Sequence, residues 1–584
     1  MSGIYGYMKN NTVLGYTNIV NKNLDCDSKP FTKSILKNTY SIVFNGKIYN
    51  SSTLRDSLMQ EGYLFETNSD DELALIMYIH YKEKCTELLD GYFAFAILDE
   101  QLKSLFLCRD RLGIKPLFYT KQHNIFAFAS QIKTLLKLDE IKASISLNEI
   151  CEIFGLGPAH TPGKTYFKDI FEILPGHYAY VKNGILNATC YWDLTIHNIL
   201  DDELTSISKI RELVIDSTKR QLNSNENICT MLSGGLDSSI ITAIAKNNIP
   251  NLHTFSINFE GNDTDFTGSS YQPTKDSDYV KIMCENLNLN HTNIYFNNND
   301  LFDSLKDAVI ARDMPGMADI DSSMLVFCRE ISKNGYKVAL SGECSDEIFG
   351  GYPWYYKPHL IKSDTFPWAR SVNLRKSIIN KDIVSEEELE KYITQAYNKT
   401  CEKVKHTSDS EFENTFRKTC YLTIKWFMNT LIERTDRMST LSNLEVRVPF
   451  ADYKIFEYVY NLSAKIKLGI TNDTSESTEK YLLRKAFEDI LPESIVYRKK
   501  SPFPKTYDPK YLELLENELQ KILNNPSSPI LQFIDKDYVE NMMRNHGKNL
   551  TENWFGQLMT YPQTLAYLIQ VNMWFDIYKP EFEI

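Results

Sequence analysis

Residues 228–248 place a loop rich in glycine and serine between an apolar run and a helical pattern. The loop, residues 233–239, reads SGGLDSS. A strand that leads through such a loop into a helix presents free backbone N–H groups and the positive end of the helix dipole, which bind phosphate. Gly234 and Gly235 would let the backbone close on the phosphates, and Asp237 could hold Mg²⁺. The pattern predicts a phosphate site rather than a serine-rich helix cap.

A second segment of this kind covers residues 337–356, where an apolar run leads into glycine and acidic residues, KVALSGECSDEIFGGYPWYY. Loops at the carboxyl ends of parallel strands can converge on one crevice. We therefore expect Asp346 to hold Mg²⁺ together with Asp237. The alternative is that Glu343 and Asp346 only cap the helix that follows, since acidic residues are favourable there.

Composition limits the class of protein. A chain of 584 residues exceeds what one hydrophobic core usually supports, so two or more domains are expected. The net charge of -12 argues against a nucleic-acid-binding face, and no stretch approaches the roughly 20 apolar residues of a membrane span. The eleven cysteines stand singly, without the spacing of a zinc site, and the N-terminus lacks a signal-peptide pattern. We therefore expect a cytoplasmic protein.

The loop at residues 233–239 is not a Walker A sequence, and it resembles the pyrophosphate loop of ATP pyrophosphatases. Three further motifs extend the resemblance: LSGECSDEIFGGYPWYY, DRMSTLSNLEVRVPF and YLLRKAFEDILPESIVYRKKSPFPKT. In the first 200 residues, VFNGKIYN, LDGYFAFAILDE and RDRLGIKPLFY agree with them. Over nearly its whole length the chain resembles the asparagine synthetase family, of the glutamine-dependent kind.

The resemblance implies two domains. Residues 1–196 would form an α+β N-terminal-nucleophile domain of stacked antiparallel sheets, and residues 201–584 an α/β ATP-pyrophosphatase domain with a parallel sheet and a helical C-terminal part. The residue pattern agrees, because short strand-like runs fill the first 200 residues and apolar strands alternate with helices after Asp201. Long helical segments dominate from Ser385 onward.

The resemblance also implies a reaction. The side-chain carboxylate of aspartate would attack the α phosphorus of Mg-ATP to give β-aspartyl-AMP and pyrophosphate, and ammonia would then displace AMP. Glu343 would orient or deprotonate ammonia, and Lys500 would stabilise charge on the phosphate and on the tetrahedral intermediate. Lys500 could instead be a surface residue. Glu445 and Arg447 could either support the site or contact a substrate.

The residues expected to contact ATP and the acyl-adenylate form three groups. Pyrophosphate would be held by Ser233, Gly234, Gly235, Asp237, Ser238 and Ser239. Adenosine would be flanked by Leu232, Ser256 and Ile257. The acyl-adenylate would lie near Ser341 and Gly342.

The first domain departs from the family at its glutaminase site. The family begins with a nucleophilic cysteine after Met1, and this chain has Ser2, whose hydroxyl would lie beside a free amine if Met1 is removed. The family motif NGE reads Asn45-Gly46-Lys47 here, so a cation replaces the carboxylate expected to contact the ammonium of glutamine. Asp70 is retained, but the family's arginine-bearing strand is missing. We predict a degraded glutaminase site and the use of ammonia.

Two other functions are compatible with the sequence. A relative of the β-lactam synthetases or peptide cyclases would adenylate another carboxylate and join it to a different amine, although YPWYY and VRVPF favour the synthetase. A catalytically silent homologue is disfavoured by the set Asp237, Glu343, Asp346 and Lys500. The expected partners are ATP with Mg²⁺, aspartate or another carboxylate, and ammonia. A homodimer and a separate protein that delivers ammonia are left open.

Overall fold

The computed structural model describes residues 3–9, 12–19, 30–35, 38–224, 226–262, 266, 274–404, 410–470, 477–548 and 550–583. Ser2, predicted for the glutaminase site, lies outside the described residues.

The chain folds as two compact units. The first comprises Met1–Ser146, Pro162–Asp193 and Pro580–Glu583, and the second comprises Leu147–Thr161, Leu194–Lys579 and Ile584. The boundaries predicted from the sequence, residues 1–196 and 201–584, stay a prediction. The two divisions differ mainly in the segment 147–161 and in the last few residues.

The first unit is built on antiparallel sheets. Its strands are β1 (Gly3–Lys9), β2 (Thr12–Ile19), β3 (Phe31–Ile35), β4 (Asn38–Ile48), β5 (Gly91–Asp99), β6 (Ser104–Arg109), β7 (Phe118–Gln122), β8 (Ile125–Ala129), β9 (Ser144–Ile145), β10 (Ile170–Glu172), β11 (His177–Lys182), β12 (Ile185–Cys190) and a last strand, Glu581–Phe582. The strand order is β10-β7-β8-β1-β2 in one sheet and β12-β11-β6-β5-β4-β3 in the other. The short strand Glu581–Phe582 pairs in parallel with β9.

Side-chain alternation in β4 explains how the layers stack. Successive residues of a strand point to opposite faces. Phe44 packs in a core with the helices Ser51–Gln60 and Asp70–Tyr81, whereas Val43 packs in a second core with Phe128 of the other sheet. The two sheets therefore lie face to face, and helices cover the outer face of the larger sheet. The remaining α-helices of this unit are Cys85–Leu88 and Ile132–Leu135.

The second unit contains a parallel sheet. Its strands are β13 (Ile228–Met231), β14 (His253–Phe259), β15 (Asn290–Phe296), β16 (Val338–Leu340) and β17 (Glu445–Arg447), in the order β15-β14-β13-β16-β17. All four strand pairs are parallel. Together with the antiparallel sheets of the first unit, this sheet confirms the predicted fold class.

Helices make up most of the rest of the second unit. The described α-helices are Leu147–Cys151, Glu203–Gln221, Leu236–Asn248, Asp276–Leu287, Asn298–Arg312, Asp319–Lys333, Ser345–Phe349, Pro353–Tyr356, Pro358–Ile361, Val372–Ile378, Glu386–Cys401, Glu411–Leu422, Asn429–Leu441, Tyr453–Asn461, Ala464–Leu468, Tyr481–Ala486, Glu493–Val496, Pro509–Asn524, Lys536–Arg544 and Tyr561–Tyr578. Among the described residues, none of the helices has the length and apolar character needed to cross a lipid bilayer.

Candidate active site

A cavity of about 260 Å³ lies at the carboxyl ends of β13, β14 and β16. Its wall includes the loops near these strand ends and residues 498–505. Most of the predicted site residues of the second unit line it: Leu232, Ser233, Gly235, Asp237, Ser238, Ser256, Ile257, Ser341, Gly342, Glu343, Asp346 and Lys500. Gly234 and Ser239 are not part of the wall, and Ser239 is fully buried.

The loop at residues 233–238 is held by its own serines. Ser233 and Ser238 share a hydrogen bond of 3.0 Å between their hydroxyls, and the N–H of Gly235 donates to Ser233 Oγ at 3.3 Å. Gly234 has a φ of +69°, and a Cβ there would lie 2.6 Å from Tyr279 Cβ. This position therefore requires glycine. The resulting turn leads directly into the helix that begins at Leu236, the geometry expected of a phosphate loop.

The second loop packs against the first. A Cβ at Gly342 would lie 2.7 Å from the backbone nitrogen of Ser238, so only glycine lets the two backbones approach this closely. Ser345 Oγ donates a hydrogen bond of 2.5 Å to Asp237 Oδ1. The convergence of the two loops predicted from their positions after parallel strands is therefore observed.

Lys480 joins the two aspartates predicted to hold Mg²⁺. Its Nζ lies 2.7 Å from Asp237 Oδ2 and 2.8 Å from Asp346 Oδ1, and its side chain is only 3% exposed. Lys500 Nζ donates a further hydrogen bond of 2.5 Å to Asp346 Oδ2. Burial opposes ionisation of Asp346, but the two lysines outweigh it and lower its pKa to about 2. Asp346 is therefore a carboxylate at neutral pH.

The surroundings of the two aspartates fit Mg²⁺ that enters with ATP. Among the described residues, no group of three or more histidine, cysteine or acidic side chains could hold a metal ion. Asp237 and Asp346 nevertheless converge on one cation, the ammonium of Lys480. Mg²⁺ is commonly held by one or two carboxylates, with phosphate oxygens and water completing its shell. Two aspartates beside a phosphate loop are a donor set of this kind.

Glu343 is held as an ion pair at the cavity wall. Arg434 donates a short hydrogen bond to Glu343 Oε1, and the hydroxyl of Thr435 donates to Oε2 at 2.6 Å. The helix Ser345–Phe349 has no side-chain hydrogen bond at its N-cap, although Asp346 lies in its first turn, where an acidic residue is favourable. Each Glu343 oxygen still has a lone pair for another donor.

Glu347 is a second buried acid in this region. The hydroxyl of Tyr352 donates to Glu347 Oε1 at 2.6 Å, and Lys500 Nζ lies 5.2 Å from the centre of the Tyr352 ring. Burial and the charge of neighbouring Asp346 raise the pKa of Glu347 to about 7. This carboxyl therefore titrates near neutral pH, unlike Asp346.

Ser256, on the predicted adenosine side, belongs to a polar network between β14 and β15. Its hydroxyl donates a short hydrogen bond to Asn293 Oδ1 and shares a hydrogen bond of 3.0 Å with His291 Nε2. Burial lowers the pKa of His291, so the ring is neutral at pH 7. Ser256 and Asn293 both line the cavity together with Ile257.

Sequence reasoning missed Lys480, Arg434 and Glu347. Glu347 stands beside Asp346 in the motif LSGECSDEIFGGYPWYY, and Lys480 directly precedes the motif that begins at Tyr481. Their positions in or next to these motifs are the only signal in the sequence that could have indicated them as site residues. Glu445 and Arg447, for which contact or support was left open, do not line the cavity; Arg447 Nε donates to Glu445 Oε1 at 2.6 Å.

In the first unit, the predicted glutaminase residues Lys47 and Asp70 form an ion pair. Lys47 Nζ lies 3.0 Å from Asp70 Oδ2, which also accepts a hydrogen bond of 3.1 Å from the N–H of Ile48. The side chain of Lys47 is 41% exposed and that of Asp70 only 8%. Asn45 is buried on β4, opposite Ala94 of β5. The ammonium of Lys47 is thus the cation partner of Asp70.

Comparison with known proteins supports the resemblance inferred from the motifs. An asparagine synthase family model matches residues 209–576, and a glutamine amidotransferase domain model matches residues 3–192. The chain is 39% identical to asparagine synthetase 3 of Bacillus subtilis strain 168, in an alignment that covers 100% of this chain and 94% of that protein.

Two further relatives are more distant. The chain is 29% identical to asparagine synthetase 1 of Bacillus subtilis strain 168, over 88% of this chain and 83% of that protein. It is 26% identical to asparagine synthetase B of Escherichia coli K12, over 86% of this chain and 76% of that protein. All three relatives are named as glutamine-hydrolysing. The chain therefore belongs to the asparagine synthetase family and is a carbon–nitrogen ligase that uses ATP.

Proposed function

We propose that this ligase converts aspartate to asparagine through β-aspartyl-AMP, with ammonia as its nitrogen source. The formation of β-aspartyl-AMP is supported by one observation. Four charged side chains converge beside the loop at residues 233–238, namely Asp237, Asp346, Lys480 and Lys500. Two carboxylates and two ammonium groups at a phosphate loop suit a pyrophosphate leaving group, which needs cations on its oxygens.

In the adenylation step, the aspartate β-carboxylate attacks the α phosphorus and the bond to the β-phosphate oxygen breaks. Backbone N–H groups of the loop and the helix N-terminus at Leu236 face the pyrophosphate. Asp237 and Asp346 would hold Mg²⁺, which when bound neutralises charge on the phosphates. Lys500 first releases its hydrogen bond to Asp346. Its ammonium then donates to the phosphate oxygens on which negative charge develops.

In the second step, ammonia attacks the acyl carbon, and the bond to the AMP oxygen breaks. Glu343 is suited to accept a hydrogen bond or a proton from ammonia, since its carboxylate lines the cavity and is fixed by Arg434 and Thr435.

The Lys47–Asp70 ion pair supports the proposal that ammonia, not glutamine, is the nitrogen source. In the family pattern, the carboxylate of the NGE motif would contact the ammonium of glutamine. Here the ammonium of Lys47 lies 3.0 Å from Asp70 and stands in for that group. Glutamine would have to displace Lys47 and would then face its positive charge. At about 4 Å and an effective dielectric of about 20, that repulsion is roughly 4 kcal/mol.

A comparison of nitrogen donors tests this proposal. The purified chain is incubated with Mg-ATP, aspartate, and either ammonium or glutamine, and asparagine and glutamate are measured. We expect asparagine with ammonium and no glutamate from glutamine. If asparagine forms from glutamine at a rate comparable to that with ammonium, the proposal that ammonia is the nitrogen source is refuted. Turnover of ATP only with another carboxylate or another amine would refute the substrate and favour a relative of the β-lactam synthetases.

A further inference from the structure

Five of the cations that line the cavity already have carboxylate partners in the second unit. These are Lys480 with Asp237 and Asp346, Lys500 with Asp346, Arg434 with Glu343, Arg484 with Glu479, and Arg498 with Asp276. Their charges are balanced by the protein itself, so a new anion must compete for them.

Lys505 lines the same cavity and differs from these five cations. Among the described residues, no carboxylate forms an ion pair with its ammonium. Burial lowers the pKa of Lys505, while the charge of Asp319 acts in the opposite direction. A partly buried ammonium without a contacting anion is a costly arrangement, which a bound carboxylate would relieve.

The backbone around Lys505 is fixed in place. The side-chain amide of Asn262 donates to the carbonyl of Lys505 at 3.0 Å and accepts from the N–H of Tyr507 at the same distance. Thr506 Oγ1 donates to Asn298 Oδ1 at 3.2 Å. Pro502 and Pro504 further restrict the chain. The stem of Lys505 therefore starts from a held position at the cavity wall.

We propose that Lys505 binds the carboxylate of the substrate that is not adenylated, so that the enzyme selects an amino acid with two carboxylates. This inference rests on the proposed function and deepens it. An aspartate whose β-carboxylate reacts at the α phosphorus keeps a free α-carboxylate. Among the described residues, Lys499 also lines the cavity without an ion-paired carboxylate, but Lys499 is exposed, whereas Lys505 is partly buried and is the better placed of the two to bind this group. A charge-assisted hydrogen bond of this kind contributes about 1.5–3 kcal/mol, or roughly 10- to 100-fold in kcat/KM.

The test compares aspartate with its α-amide, in which the β-carboxylate is intact and the α-carboxylate is a neutral carboxamide. Initial rates of pyrophosphate release with ammonium are measured for wild type, Lys505→Met, Lys505→Arg and Lys510→Met. Wild type should prefer aspartate by about 10- to 100-fold in kcat/KM. In Lys505→Met the preference should fall to near one, through loss of activity on aspartate alone.

The controls separate this role from others. Lys505→Arg should keep most of the preference, and Lys510→Met should match wild type because Lys510 is exposed. An unchanged preference in Lys505→Met, or a raised KM for ATP instead, would overturn the inference. If Lys505→Met does not fold, Lys505→Gln removes the same charge. The ratio of kcat/KM for aspartate to that for its α-amide is then measured with Lys505→Gln and interpreted in the same way. Wild type without activity on aspartate would overturn the proposed function and this inference with it.

Discussion

The ammonium of Lys480 lies 2.8 Å from Asp346 Oδ1, and both side chains are largely buried. Burial alone would favour neutral forms of both groups. The charges of Asp237 and Asp346 outweigh burial and raise the pKa of Lys480. The pair of Lys480 and Asp346 therefore stays ionised at the position where Mg-ATP is proposed to bind.

Replacement of Lys480 by methionine should leave Asp237 and Asp346 facing each other without this shared cation. Removal of one partner of a buried ion pair costs about 3–5 kcal/mol, so the urea midpoint should fall clearly. Mg²⁺ should restore more stability to this variant than to wild type. Lys485→Met is the matched control, because Lys485 belongs to an exposed pair with Glu488, worth at most about 1 kcal/mol. A variant as stable as wild type would contradict this account.

Lys500→Met should abolish amide formation while nucleotide still binds. Lys500 is proposed to act on charge that develops in the transition state, and loss of one such donor typically costs about 10²–10³-fold in kcat. Single-turnover formation of AMP and equilibrium binding of ATP measure the two effects separately. Near-normal turnover would show that the lysine has another role.

Glu347→Gln should change how stability depends on pH. The pKa of Glu347 is about 7 in the folded protein and 4.5 is its ordinary value, so the folded state binds the proton more tightly. Its contribution is complete below pH 4.5 and is lost as pH rises through 7. Wild type should therefore lose on the order of 3 kcal/mol between pH 5 and 8 relative to the variant. Parallel stability profiles from urea unfolding would contradict the assignment.

Ser2→Ala should leave ammonia-dependent synthesis unchanged, and Ser2→Cys should not create glutamine-dependent activity. A cysteine restores the stronger nucleophile. It does not remove Lys47 from Asp70. Glutamate release from glutamine is measured for wild type and both variants. Strong release by wild type that disappears in Ser2→Ala would mean that the hydroxyl is a working nucleophile.

The fold was readable from the sequence because its signals are local. The short strand-like runs of the first 200 residues and the change to strand–helix alternation after Asp201 predicted antiparallel sheets followed by a parallel one. The unit of strand, glycine turn and helix around residues 233–239 was also readable, since its three parts are contiguous in the sequence. The pairing of Lys480 with Asp237 was not, because 243 residues separate them and a lone lysine carries no local signal. The packing of residues 147–161 within the second unit depends equally on distant contacts.

The proposed adenylation requires that an oxygen atom pass from the β-carboxylate of aspartate to AMP, and an isotope label can follow that atom. Aspartate labelled with ¹⁸O in its β-carboxylate is incubated with the enzyme, Mg-ATP and ammonium, and the nucleotide products are analysed by mass spectrometry. If the carboxylate attacks the α phosphorus, one labelled oxygen remains on AMP when ammonia breaks the acyl bond, and pyrophosphate is unlabelled. We expect labelled AMP and labelled asparagine in equal amounts. ADP together with labelled orthophosphate would contradict it.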